Sequence, residues 1–202
     1  MCDRCDKYAE QHQGGAEVEL SLLFADVRGS TTIAESMSPK DFSRLIDRFY
    51  NAASKVLIQT DALIDKIIGD QVAGMYVPGL VQQEHAKRAI QAAMDLLRAT
   101  GHEDPAGPWV PMGAGVHTGV AWVGAVGSKE GSHDITVLGD TPNTAARLSS
   151  SAATGEILVS EPAAAAAELP TDGLEKRSLD LKGKTEPVSV YVLTLGAPIK
   201  AA

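Results

Sequence analysis

Cysteine is scarce in this chain: only Cys2 and Cys5 occur among 202 residues. Two thiols make no disulfide framework, and a domain of this length buries roughly 70% of its unfolded surface without one. Long apolar runs are missing too. None reaches the ~18 residues of a membrane span, and the polar N-terminus does not resemble a signal peptide. The expectation is a cytoplasmic protein without membrane insertion. Excess positive charge is also absent, the formal net charge being -8. That argues against broad nucleic-acid or acidic-membrane binding, so an anionic substrate has to be held by local cations or metal ions. No internal repeat is visible. What remains, 44% hydrophobic and 22% charged residues, suits one large globular domain.

Residues 1–17 read as a polar tail, 18–195 as the domain and 196–202 as a second tail. The first tail carries Cys2-Asp3-Arg4-Cys5. This is half of a zinc site if His12 and a ligand from a second chain complete it, and otherwise two reduced thiols on a mobile segment.

Val18, Leu20, Leu22, Leu23 and Phe24 form an apolar run of strand length that ends at Asp26, and Gly29-Ser30-Thr31 then breaks it. A short helix over Thr31 to Met37 follows. Ser38-Pro39 opens a longer one, with Ser38 as N-cap, Asp41 in the first turn, and Phe42, Leu45, Ile46, Phe49 and Ala53 on its buried face. Thr60 to Ile68 and Val72 to Val77 read as a β-hairpin with Asp70 at its turn. Gln82 to Thr100 repeats apolar residues at helical spacing. Met112 to Thr118 and Val120 to Val126 read as two strands around Thr118-Gly119, Ser128 to His133 as a polar connection, and Ile135 to Leu138 as a strand. A helix to about Ser151 follows, with Thr141 as N-cap and Pro142 first. Then come a strand at Ile157 to Val159, a short helix over Pro162 to Glu168, and strands over Leu174 to Leu181 and Val188 to Leu195. The mixed order predicts an α+β fold, a ferredoxin-like sandwich with a largely antiparallel sheet flanked by helices.

Asp26 and Asp70 each sit where a buried strand opens into a turn. On neighbouring strands they converge and repel unless cations bridge them, an arrangement that suits Mg²⁺ with substrate phosphates completing its shell. The residues alone leave open that they are turn aspartates bonded to local backbone. Asn143 and Arg147, at i and i+4 of one helix face, suit a developing phosphoryl charge, or are a helix-entry amide and a surface arginine. Lys66, in an apolar strand, either snorkels, pairs with an acid or meets a ligand acceptor. Lys182 and Lys184 form a basic turn fit for a polyphosphate or for solvent.

Taken together, Phe24-Ala25-Asp26-Val27-Arg28-Gly29-Ser30-Thr31, Lys66-Ile67-Ile68-Gly69-Asp70, Gly115-Val116-His117-Thr118-Gly119, Val137-Leu138-Gly139-Asp140-Thr141-Pro142-Asn143-Thr144-Ala145-Ala146-Arg147-Leu148 and Leu181-Lys182-Gly183-Lys184 resemble the catalytic domain of class III nucleotidyl cyclases. The likeness runs from about Val18 to Leu195. It implies that Asp26 and Asp70, with the Val27 carbonyl, hold two Mg²⁺ or Mn²⁺ ions, and that the amides of Val27, Arg28, Gly29, Ser30 and Thr31 cradle a triphosphate. Lys66 would contact adenine N1, and Thr136 would serve the adenine amino group, although Asp134 lies two residues away. Asn143 would orient the ribose, Arg147 stabilise the transition state and Lys182 bind the terminal phosphates. Val120 departs from family members that carry Arg there, which leaves Lys182 more of the triphosphate to hold.

The resemblance therefore implies an adenylyl cyclase that converts ATP to 3′,5′-cyclic AMP, working as a homodimer with shared sites. Thr136 is similar to the residue of the class IIIb subgroup, some of whose members respond to bicarbonate, which makes bicarbonate a candidate regulator at the level of the family. A guanylyl or relaxed-specificity cyclase and a silent nucleotide-binding or dimerisation module are the competing readings. The Gly-Gly-(Asp/Glu)-Glu-Phe motif of a diguanylate cyclase is absent.

Overall fold

The computed structural model describes residues 14–127 and 133–196. Strand β1 (Gly15–Val27) lies antiparallel to β3 (Gln71–Tyr76) on one side and to β4 (Met112–Gly127) on the other. β2 (Leu63–Ile68) flanks β3. β6 (Ile157–Ser160) runs parallel to the first half of β4, and β8 (Val188–Leu193) and β7 (Glu175–Leu179) continue outward antiparallel. β5 (His133–Leu138) pairs antiparallel with the second half of β4. The sheet thus has eight strands in the order β2-β3-β1-β4-β6-β8-β7, with β5 off that path. Its first part follows the β-α-β-β-α-β order of a ferredoxin-like fold, and the expected α+β class is what is found.

The helices are α1 (Ser30–Ser36), α2 (Pro39–Gln59), α3 (Pro78–Val81), α4 (His85–Ala99), α5 (Asp140–Ser151) and α6 (Glu161–Ala166). α2 begins as its sequence dictates: the Ser38 hydroxyl accepts from the Asp41 amide at 3.2 Å, and Pro39, which needs no amide partner, is the first helical residue. Phe49, Ala53 and Leu57 of α2 and Ala89, Ala93 and Leu97 of α4 are wholly buried in one core with Leu23, Ala25 and Val27. The alternate residues Leu20, Leu22 and Phe24 face the other side, against Ala73, Met75, Ala121, Val137 and Ala145 of α5. Asp26 follows Phe24 in that same alternation. Among the described residues no helix is long and apolar enough to cross a membrane.

Three expectations need correction. Thr118-Gly119 is not a turn: β4 runs unbroken over Met112–Gly127. Gly119 is there because a Cβ would come within 2.9 Å of the Thr141 hydroxyl oxygen, so its signal is close helix approach and not chain reversal. Thr141 is not the N-cap of α5. Its hydroxyl donates to the Val120 carbonyl at 2.6 Å, and the cap is Gly139, whose φ of 131° favours glycine. Finally, α2 extends to Gln59 and β2 starts only at Leu63, because Asp61 turns left-handed at φ 61° and the Asp61 and Ala62 amides donate back to the Ile58 and Leu57 carbonyls at 3.2 and 2.9 Å, which closes the helix. The expected zinc half-site at Cys2, Cys5 and His12, and most of the 128–133 connection, lie outside the described residues.

Candidate active site

The two aspartates come together because β1 and β3 are paired. Asp26 stands opposite Gln71, the residue after Asp70, and the Val27 amide donates to the Asp70 carbonyl at 3.0 Å. The Ser30 hydroxyl donates to the Asp70 carboxylate, while Arg28 forms an ion pair with Asp26. Arg28 also donates to the Ser150 carbonyl at 2.9 Å, tying this turn to the C-terminal end of α5. Burial holds the Asp26 carboxyl above its ordinary pKa; the Arg28 guanidinium opposes that rise and the Asp70 carboxylate adds to it. Two hard-oxygen acids, one half-buried and repelled by the other, fit a divalent cation. Among the described residues no group of three or more His, Cys, Asp or Glu side chains gathers to hold a metal. A two-carboxylate set is nevertheless what Mg²⁺ uses when phosphates and water complete its shell.

Gly29, at φ 66°, turns the chain into α1, whose first amides have no helical acceptor. Ser30, Thr31 and Asp70 line an open cavity of about 690 Å³ beside this turn.

A second cluster lies elsewhere on the fold. Lys66 follows a bulge in the β2–β3 pairing, and its ammonium is half-exposed, 3.9 Å from Asp65. Thr136 of β5 is buried and donates its hydroxyl to the other Asp65 oxygen at 2.7 Å. A third cluster gathers on α5. The Asn143 amide donates to the Gly139 carbonyl at 3.0 Å, and Arg147 spreads over the Lys182-Gly183-Lys184 turn, its guanidinium 3.4 Å from where a Gly183 Cβ would lie. Lys182 is exposed, and Lys184 is paired with Asp140. Among the described residues Arg147 has no carboxylate partner, so this corner can take an anion. No hydrogen bond or ion pair among the described residues joins Asp26 or Asp70 to Lys66, Thr136, Asn143 or Arg147.

The sequence pattern of the adenylate and guanylate cyclase catalytic domain matches residues 13–194. The chain belongs to that family. It is 35% identical over 144 residues to adenylate cyclases of Mycobacterium tuberculosis and Mycobacterium bovis, covering 70% of this chain and 32% of theirs. An adenylate cyclase of Anabaena cylindrica is 29% identical over 181 residues, 85% of this chain and 36% of that one. The chain spans about a third of the length of these curated relatives. Among solved structures, the guanylyl cyclase Cya2 superposes with a TM-score of 0.80 at 24% identity, over 94% of this chain and 98% of that one. The adenylyl cyclase CyaB from P. aeruginosa does so at 0.77 and 24%, over 93% and 100%. At that identity the superpositions speak for the fold.

Several polar residues of this cyclase domain escaped the sequence reading. The expected triphosphate cradle loses two of its amides, because Val27 donates to the Asp70 carbonyl at 3.0 Å and Arg28 to the Pro111 carbonyl at 2.8 Å, while the Arg28 side chain pairs with Asp26. Asp65 belongs to no motif, and its only mark in the sequence is the pair of adjacent polar residues inside an apolar strand that signals a bulge. His117, in the Gly-Val-His-Thr-Gly motif, bonds through Nδ1 to the Ser160 hydroxyl at 2.8 Å. Burial, with Lys184 nearby, lowers its pKa to about 4 while Asp140 pulls the other way.

That depression has a measurable consequence. Between pH 6.5 and about 4 the unfolded chain protonates His117 while the folded one does not, so acidification favours unfolding. The loss is on the order of 3 kcal/mol across that window, and none is added by this group below it. His85 and His102, both lowered by burial, act in the same direction. Thermal melting from pH 7 to 4 is expected to show the midpoint falling, with a shallower fall in His117→Gln. An identical slope in the variant refutes the assignment.

Proposed function

We propose that this domain converts ATP to 3′,5′-cyclic AMP and pyrophosphate, at sites shared between two copies of the chain. The observation that carries the reading is the pairing of Lys66 and Thr136 about one buried carboxylate, in a cyclase-family domain that also keeps Asp26, Asp70, Asn143 and Arg147. Lys66 donates to a ring nitrogen and Thr136 meets the 6-amino group, a pattern that adenine satisfies and guanine does not.

In the reaction the ribose 3′-oxygen attacks the α-phosphorus, the bond to the β-phosphate oxygen breaks, and the 3′ proton leaves to Asp26 or to water. Asn143 holds the ribose, and Arg147 with Lys182 neutralises charge on the phosphates. The amides of Gly29, Ser30 and Thr31 meet the triphosphate beside the cavity at α1, since those of Val27 and Arg28 are already given to the Asp70 and Pro111 carbonyls. Asp26 and Asp70, with the Val27 carbonyl, would hold two Mg²⁺ or Mn²⁺ ions, which supply neutralisation of the triphosphate and a more acidic 3′-hydroxyl. Because the acids and the purine and phosphoryl residues form separate clusters, a homodimer with two equivalent sites completes each one. Exposed Leu63, Val120 and Leu138 leave apolar surface for that contact. A cytoplasmic location and regulation by bicarbonate complete the reading.

The test is direct. Purified protein incubated with Mn²⁺ and either ATP or GTP is expected to yield cyclic AMP in excess of cyclic GMP, read by mass spectrometry of the product. Neither product, or cyclic GMP alone, refutes the reading. Activity unchanged by bicarbonate at constant pH removes bicarbonate as regulator without touching the rest.

A further inference from the structure

We infer that Asp65 is the positioning residue that makes this site prefer adenine, by fixing which way the Thr136 hydroxyl points. The inference rests on the ATP-cyclase reading and goes beyond it, since Lys66 speaks only to the ring nitrogen and a Thr136 hydroxyl has no preference of its own.

A threonine hydroxyl has one proton and two lone pairs, so an unconstrained Thr136 can accept from the adenine 6-amino group or donate to the guanine 6-oxygen equally well. Here it is constrained. Its proton is given to Asp65 Oδ1 at 2.7 Å, and the Asp65 side chain is only 2% exposed, so water cannot readily take over as acceptor. A buried carboxylate accepts but does not donate, and leaving it without a donor is costly. Thr136 therefore offers incoming purine only lone pairs. These match an amino group and oppose a carbonyl oxygen.

The second Asp65 oxygen faces the Lys66 ammonium at 3.9 Å. One carboxylate thus holds an acceptor and a donor side by side, in the sense required by the adenine 6-amino group and ring nitrogen. The bulge between Ile64 and Lys66 explains how this happens. In regular alternation Asp65 and Lys66 would point to opposite faces of β2, whereas the extra residue lets both serve one place. Guanine in that place sets carbonyl against hydroxyl oxygen with no proton between them. Unpaired polar groups of this kind are what hydrogen-bonding sites reject most strongly.

Asp65→Asn tests this with little change of shape. An Asn amide can donate to Thr136, which frees the hydroxyl proton for a guanine oxygen. We expect the ratio of kcat/KM for ATP over GTP, measured with Mn²⁺, to fall by about tenfold or more, the worth of one such contact. Thr136→Val is expected to reduce the ratio as well, and adding Asp65→Asn to it to change the ratio by less than about twofold, because the carboxylate then has no hydroxyl to direct. An Asp65→Asn ratio within about twofold of an ATP-selective wild type overturns the inference while leaving the ATP-cyclase reading standing. So does an equal effect of Asp65→Asn with and without Thr136. A wild type that forms no cyclic AMP, or that prefers GTP, overturns the reading and the inference with it. If Asp65→Asn does not fold, Thr136→Ser against Thr136→Val decides: Ser keeps the hydroxyl on Asp65 and is expected to keep the preference, and equal ratios for the two overturn the idea.

Discussion

Asp26→Ala and Arg147→Ala proteins, each inactive alone, are expected to regain activity when mixed. On the proposed reading each change removes a group that acts on the phosphates, and losses of a hundredfold to a thousandfold per group are usual for such contacts. Recovery follows from where the groups sit. Asp26 closes β1 beside the hairpin turn, whereas Arg147 lies over the basic turn at Lys182-Gly183-Lys184. In a two-fold dimer one protomer gives the acids of a site and its partner gives the arginine. A mixed dimer then holds one site with both defects and one with neither. Random pairing of equal amounts makes about half the dimers mixed, each with one of two sites intact, so about a quarter of the wild-type rate returns. Native mass spectrometry confirms that mixed dimers exist. An inactive mixture in their presence refutes shared sites.

The same experiment probes Arg28. With Asp26 gone, its guanidinium keeps the Ser150 and Ala152 carbonyls at 2.9 and 3.4 Å, so the end of α5 stays anchored and the variant is expected to fold. That argues for reading lost activity as lost chemistry.

How legible the molecule was in its sequence depended on whether a signal was local. The start of α2 was legible because Ser38, Pro39 and Asp41 act on backbone atoms within one turn. The hairpin turn at Asp70 was legible because Gly69, at φ 64°, leaves little choice of conformation. Thr141 and Gly119 were misread for the opposite reason. Their partners are each other and the Val120 carbonyl, about 20 residues apart in the chain and adjacent only once α5 lies on β4. Among the site residues, the Asp26 and Asp70 pair followed from two similar strand-to-turn patterns, and strand pairing did bring them together. Asp65 could not be valued in the same way. Its worth arises from Thr136, 71 positions away, and from a bulge that a polar doublet marks only weakly.

Gly115 shows how much a long-range contact of this kind can weigh, and Gly115→Ala is expected to cost both stability and turnover. A Cβ on Gly115 would lie 2.3 Å from the Ser149 amide nitrogen and 2.7 Å from the Ala145 carbonyl oxygen. Both are backbone atoms of α5, so no side-chain rotation relieves the clash. The helix itself has to lift. Gly113 and Gly119 extend the same contact, with Cβ positions 2.9 Å from the Ala152 carbonyl and from the Thr141 hydroxyl, so α5 lies along a glycine track on β4. Lifting it loosens Leu148, which is wholly buried with Leu158, Leu181 and Val190. Overpacking of this sort costs about 1–3 kcal/mol, against which the smaller chain entropy of Ala recovers less than about 1. Because α5 also carries Asn143 and Arg147, a shift of about 1 Å is expected to lower kcat on the order of a hundredfold. Urea unfolding at fixed protomer concentration and kcat on ATP measure the two effects. Gly79→Ala is the control, since nothing lies within 4 Å of its Cβ position and its unfolding midpoint is expected to stay near that of the wild type. A Gly115→Ala protein as stable and as active as that control would mean α5 does not rest on β4 at the distance described.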